Sequence, residues 1–326
     1  MTIGNYRAPF INYRNPGIFL ITMAKNDYTP VFSTLRRTGL NDKYKGTTVI
    51  FSPLGKFIFK ILSDFSTYFP GLNVQQYVIM PDHIHFILEI TKKLDAHLDE
   101  YMDCFKNKIF SEAYINEVVE FDDIIFRPGY NDQFLSHARS LNVMYTYIRE
   151  NPYRLWIRKK HPEFFTKRNN GNIFSYHCQF YGNMEILKNP FIYSVIRHSK
   201  YTEAEIREKE NEWLYGLKNG GVLAGAFIHK EERKFLQQAL EMGSKVIKFN
   251  NYKFEEKEKP SGKYFKMCEK GNLLIVSPTF PPDFVITHDK YGKPKVTKQQ
   301  SRFMNSIIEK FENQHPEPAF GRQNCR

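Results

Sequence analysis

Two histidines one residue apart, His83 and His85, sit in the segment Tyr77-Val-Ile-Met-Pro-Asp-His-Ile-His-Phe-Ile-Leu-Glu-Ile90. From residue 83 to 90 the side chains alternate as in a strand. His83, His85, Ile87 and Glu89 then share one face, and Ile84, Phe86, Leu88 and Ile90 take the other. The apolar face can bury in a core while the opposite face holds two imidazoles about 7 Å apart along the strand. Imidazoles so placed can grip one divalent metal, Mg2+ or Mn2+. Further along, Tyr147 and Asn151 are four residues apart in a helical pattern and point the same way. Tyr145 lies about 200° around that helix from Tyr147 and reads as the core residue. Pro152 biases Asn151 away from helical geometry, which places Asn151 in a frayed last turn.

Together these parts describe a chemistry. Two neutral imidazoles and one amide oxygen leave positions on a metal where a phosphodiester oxygen can bind. The metal then acts as a Lewis acid as the phosphorus is attacked. A tyrosine hydroxyl suits the attack, because a phosphotyrosine stores the bond energy for rejoining. Such a transesterification needs no ATP. Each part alone has a plainer reading. A His-x-His strand pair is often structural, a lone helical tyrosine is usually core, Asn-Pro often just stops a helix, and a Lys/Arg run is usually a solvated face. Order and charge together favour the chemical reading.

The bulk numbers fit an anionic partner. The chain has 326 residues, and Lys plus Arg number 47 against 35 Asp plus Glu, a formal charge of +12. Nucleic acid is the first partner such a balance suggests. The length favours two domains. Cys104, Cys178, Cys268 and Cys325 are far apart and form no Cys-x-x-Cys pair, which argues against structural zinc and a disulfide framework. A reducing cytoplasm fits. No apolar leader and no long apolar run is present, so neither export nor membrane spanning is expected.

The elements that must position the site can be read in outline. Gly17–Met23 predicts a strand, followed by a polar loop with Arg36, Arg37, Lys43 and Lys45. Residues 53–68 have helical spacing, 73–80 and 83–90 are β runs, 94–114 is helical, and 124–134 is β-like. Ser136 can cap a helix running to Glu150. This order predicts an α+β layer with helices on one sheet face and the histidines on the free face. A basic connector follows, with Arg154, Arg158, Lys159 and Lys160 as candidates to hold a DNA backbone. Strands at 221–228, 244–249 and 272–277, alternating with helices at 230–242 and 261–270, predict a parallel α/β unit. Residues 290–326 read as a polar, basic tail with one short amphipathic helix through Phe303, Ile307 and Phe311.

Val78-Ile-Met-Pro-Asp-His-Ile-His-Phe-Ile87 resembles the His-hydrophobic-His segment of single-tyrosine HUH transposases, the insertion-sequence-200 type and its REP-associated relatives. Tyr147-Ile-Arg-Glu-Asn-Pro152 resembles their Tyr-Ile-x-x-Asn-Pro segment. Gly17-Ile-Phe-Leu-Ile-Thr-Met-Ala-Lys25 with Pro30-Val-Phe32 is similar to their first strand and loop, and Gly129-Tyr-Asn-Asp132 to the strand before the tyrosine helix. The resemblance covers residues 10–165. It implies a ferredoxin-like HUH domain at 1–165, Tyr147 as nucleophile, and His83, His85 and Asn151 as metal ligands. It also implies cleavage and rejoining of single-stranded DNA near a hairpin through a 5′-phosphotyrosine. Tyr153-Arg-Leu-Trp156 departs from the short small-residue segment of such proteins. A basic linker at 166–188 and a smaller Rossmann-like α/β domain at 189–289 would follow. That second part is similar to DprA/SLOG-like domains, through Leu217–Ile228, Lys259–Gly262 and Cys268–Pro278. Gly220, Gly221 and Gly225 could admit a phosphate or be strand-edge glycines, the favoured reading. A hairpin-binding protein without cleavage, or a replication or conjugation nuclease of the HUH group, are the alternatives. A homodimer, with Tyr147 serving a second subunit's histidines, stays open.

Overall fold

The computed structural model describes residues 11–38, 46–255, 259–288 and 294–312. The chain divides into two compact units, Met1–Trp156 and Ile157–Arg326.

In the first unit, β1 (Gly17–Ala24) is followed by a hairpin of β2 (Ser33–Arg37) and β3 (Thr47–Phe51). Then come α1 (Pro53–Ser63), α2 (Phe65–Tyr68), β4 (Leu72–Ile79), β5 (His83–Ile90), α3 (Leu98–Ile115), β6 (Asn131–Phe134) and α4 (Ala138–Lys160). The sheet order is β4-β5-β1-β6, antiparallel throughout. With the β2–β3 hairpin set aside, the succession is β-α-β-β-α-β and β5 lies between β1 and β4. That is the split βαβ, ferredoxin-like arrangement. The unit is α+β.

Local chemistry starts the helices where they are needed. The Ser52 hydroxyl accepts the Gly55 N–H and Pro53 occupies the first turn of α1, where its missing N–H is harmless. Gly55 is there because an added Cβ would lie 2.0 Å from the Phe32 carbonyl oxygen. His97 and Glu100 form a capping box at α3. One sheet face, with Ile84, Phe86, Leu88 and Ile90, buries against Ile58 and Ile61 of α1, Phe65 of α2, and Met102, Phe105 and Ile109 of α3.

Two expectations need correction. The histidine face is not free. Ile148 of α4, with part-buried Leu141, Met144, Tyr147 and Leu155, packs onto Leu20, Val78, Met80 and Ile87, so helices lie on both sheet faces. Nor does the tyrosine helix end at Glu150. It continues through Pro152 to Lys160, and Asn151 sits inside it rather than in a frayed turn. Proline removes one helical hydrogen bond, at a cost of about 3 kcal/mol. Burying an apolar side chain the size of Ile148 or Leu155 contributes about 1.5–3 kcal/mol, so packing on the sheet offsets the local rule. Arg36 and Arg37 are strand residues of β2, not loop residues; Lys43 and Lys45 lie outside the described residues. The Arg37 guanidinium lies 4.9 Å from the Trp156 ring centre and 5.9 Å from that of Tyr153.

In the second unit, the expected linker 166–188 is a pair of strands, β7 (Lys167–Ile173) and β8 (Tyr176–Gly182). Next come β9 (Ile192–Ser194), α5 (Glu203–Lys218), β10 (Val222–Gly225), α6 (Lys230–Met242), β11 (Lys245–Phe249), α7 (Gly262–Cys268), β12 (Leu273–Pro278) and α8 (Lys298–Glu312). The sheet order is β7-β8-β12-β11-β10-β9, with β9 to β12 parallel and β8 antiparallel to β12. The parallel strands step in one direction, and crossovers of one hand then place their helices on one face. Trp213, Phe235 and Cys268, from α5, α6 and α7, accordingly share one core. Within the expected tail, α8 covers the other face with Met304, Ile307, Ile308 and Phe311 buried. Among the described residues no helix is long and apolar enough to cross a membrane, and Cys104, Cys178 and Cys268 are free thiols. Cys325 lies outside the described residues.

Candidate metal and nucleophile site

Strand alternation and register build one wall of the site. On β5, His83 and His85 face the same way, and their ring centres lie 4.7 Å apart, closer than the strand repeat because the rings lean together. The register opposes Thr22 of β1 and Val78 of β4 to His85. The Thr22 hydroxyl is 2.7 Å from His85 Nδ1, and Asp82 Oδ1 is 2.6 Å from His83 Nδ1. In both rings Nδ1 is engaged by the protein. A carboxylate only accepts, so His83 donates its Nδ1 proton to Asp82. His85 is buried. Burial, with the neighbouring His83 adding to it, pushes its pKa down to about 3, so this imidazole is neutral near pH 7.

The other wall is α4. The Tyr147 hydroxyl lies 3.4 Å from His85 Nε2. Arg154 stacks over the Tyr147 ring at 5.7 Å and pairs with Glu150 at 3.2 Å. Tyr145 belongs elsewhere: its hydroxyl donates to Gln75 Oε1 at 2.5 Å, and Gln75 donates to Glu89 at 2.9 Å. Burial and then Glu89 push the Tyr145 pKa up. Gln76, paired with Ile87, donates to the Tyr145 carbonyl. The helix thus runs from the Ile87 level toward His85 and on toward His83. Asn151 stands one turn past Tyr147, about 6 Å along the axis, and His83 stands about 6.6 Å from His85 along the strand. Asn151 is buried, and its side-chain nitrogen has no hydrogen-bond partner among the described residues.

That orphaned nitrogen is the test of fit for a cation. A buried polar atom without a partner costs about 1–3 kcal/mol. The choice between the amide nitrogen and oxygen is one of orientation, and rotation would offer the oxygen to a cation. Two imidazole Nε2 atoms and one amide suit a divalent metal. Among the described residues no three His, Cys, Asp or Glu side chains gather as a metal site; a His–His–Asn set contains only two side chains of those types. The residues present fit the group.

The four basic candidates divide. Arg154 is engaged as above, and the Arg158 guanidinium lies 5.8 Å from the Phe165 ring centre and 5.4 Å from that of Phe265. Lys159 and Lys160 are exposed. Thr22 and Asp82 were not singled out beforehand. Asp82 was in plain view beside His83, whereas Thr22 needed the β1–β5 register, which no local pattern carries.

The glycines of the second unit are structural. A Cβ on Gly221 would lie 2.5 Å from the Tyr193 ring, and one on Gly225 3.0 Å from the Val195 carbonyl oxygen. Gly220 has φ +77° after α5, the left-handed region. At the β10–α6 turn, the N–H groups of Ile228 and His229 donate to Glu232 Oε2, and that of Arg197 to Oε1, at 2.8–3.0 Å. The protein's own buried carboxylate satisfies these N–H groups.

No family model matches the chain. The chain is similar to an uncharacterized protein of Haemophilus influenzae, 23% identical over 172 residues, covering 46% of this chain and 87% of that one. Among solved structures it is similar to a REP-associated tyrosine transposase bound to a REP hairpin, with 14% identity and a TM-score of 0.31, over 47% of this chain and 74% of that chain. It is also similar to a candidate transposase of Deinococcus radiodurans, with 15% identity and a TM-score of 0.26, over 44% of this chain and 98% of that chain. At these values neither structure speaks to the activity of this chain.

Proposed function

We propose that the first unit is a metal-dependent single-strand DNA endonuclease and strand transferase of the single-tyrosine HUH kind, a transposase. The observation that carries this reading is the Tyr147 hydroxyl 3.4 Å from His85 Nε2 within one chain; one turn further along the same helix, the buried Asn151 has a side-chain nitrogen with no partner among the described residues. His83, His85 and Asn151 would hold Mg2+ or Mn2+. When bound, such a cation polarises a phosphate oxygen and offsets the charge that develops there. Tyr147 attacks the scissile phosphorus and displaces the 3′ oxygen, which leaves as a 3′-OH, while the 5′ phosphate stays on the tyrosine. Attack by a 3′-OH reverses the step and rejoins the strand. The α4 packing fixes the nucleophile against the sheet, so orientation is built in before substrate arrives. The exposed Lys159 and Lys160 extend the same helix and can meet the DNA backbone.

The test is a denaturing gel with labelled single-stranded hairpin oligonucleotides and Mn2+ or Mg2+. A metal-dependent, protein-sized shift that survives detergent and disappears in Tyr147→Phe is the expected result. Tight hairpin binding without any adduct would replace this reading with that of a DNA-binding protein.

A further inference from the structure

We propose that Thr22 and Asp82 are positioning residues that set the tautomers of the two histidines, Asp82 as a fixed lock and Thr22 as a reversible one. The inference rests on the metal reading above. Asp82 Oδ1, 2.6 Å from His83 Nδ1, can only accept, so His83 holds its proton on Nδ1 whether or not metal is present. Thr22 differs, because a hydroxyl both donates and accepts. At 2.7 Å from His85 Nδ1 it can accept a hydrogen bond from a ring N–H there or donate one to a ring lone pair.

His85 therefore has two states inside the same contacts. With the proton on Nδ1, Thr22 accepts and the Nε2 lone pair is open to a cation. With the proton on Nε2, Thr22 donates, and Nε2–H points at the Tyr147 oxygen 3.4 Å away. The second state closes the ligand position and ties up the nucleophile. Loading the site selects the first state and releases Tyr147 from the ring in one event. Partners of this kind around metal-binding histidines typically change affinity about 10–100-fold when removed. Val78, opposite His85 on β4, offers no polar substitute for the lost hydroxyl.

The experiment uses the full chain, with histidine-labelled nitrogen NMR to read tautomers and calorimetric titration with Mn2+ to read affinity. In wild type, His83 should appear as the Nδ1–H form with or without Mg2+, and Mg2+ should move His85 to the Nδ1–H form. Thr22→Val should weaken Mn2+ binding about 10–100-fold, and Thr22→Ser should restore it. Asp82→Asn should mix the His83 tautomers. Unchanged Mn2+ affinity in Thr22→Val, or an Nε2–H His85 in the metal-loaded wild type, overturns the inference and leaves the metal reading standing. Absence of Mn2+ binding by wild type overturns both.

Discussion

Polar groups are left open in one unit and closed in the other. In helix α4 of the first unit, Asn151 is buried with a side-chain nitrogen that has no partner among the described residues, and the protein engages Nδ1 of both His83 and His85. At the β10–α6 turn of the second unit, backbone N–H groups from three residues converge on Glu232. Both places carry residues that a sequence reading can assign to phosphate chemistry. Satisfaction separates them. A pocket built for a guest keeps buried polar capacity unspent, at a cost in stability. A pocket that has spent that capacity on its own carboxylate is a joint in the fold.

The comparison can be broken at either end, and the largest effect is expected at Tyr147. Tyr147→Phe should abolish covalent DNA adducts altogether while leaving hairpin affinity, measured by gel shift, unchanged. Adducts that persist in this variant would move the nucleophile elsewhere. Glu232→Ala should cost about 3 kcal/mol or more in urea unfolding, because buried hydrogen bonds to a charged group are worth about 1.5–3 kcal/mol each. It should leave the adduct yield per folded molecule intact. A stable, nucleotide-binding Glu232→Ala protein would mean the turn had been a ligand site after all.

Smaller effects sharpen the contrast. His85 has a folded pKa of about 3 against about 6.5 when unfolded. The unfolded chain binds the extra proton in that window. The stabilisation is complete above pH 6.5 and is lost as pH falls toward 3, with a slope of up to about 1.4 kcal/mol per pH unit. Metal-free unfolding between pH 7 and 4 should show this slope, and His85→Gln should lack it. Asn151→Leu should raise stability by about 1 kcal/mol by removing an unsatisfied amide while abolishing Mn2+ binding in a titration. A lower melting temperature would show that the amide has a partner in solution. Arg37→Ala should cost least, about 0.5–1 kcal/mol for an exposed cation–π contact with Trp156, read by thermal melting.

The placement of the candidate residues was legible where its signals are local. Period-two alternation placed both histidines on one face, and four-residue spacing aligned Asn151 with Tyr147. What escaped depended on the fold around those signals. Pro152 obeys a local rule that ends helices, and the apolar contacts of Ile148 and Leu155 with the sheet override it. Lys167 to Ile173 is rich in Lys, Arg and Asn and reads as a linker, yet it forms the edge strand of a sheet, where polar side chains are tolerated. The β2–β3 hairpin was hidden by its basic residues. Covering of the histidine face by α4 could not be read from alternation, which gives two faces and does not say what lies on each.

Helix α4 begins at Ala138 and ends at Lys160, whereas the first unit closes at Trp156. Helix α4 therefore runs four residues past that boundary, and Tyr147 lies nine residues before it. Here a cut at the unit boundary shortens the helix that holds Tyr147, so any heritable swap of the second half has to keep the α4 turns intact. A breakpoint that spares every turn of α4 lies beyond Lys160.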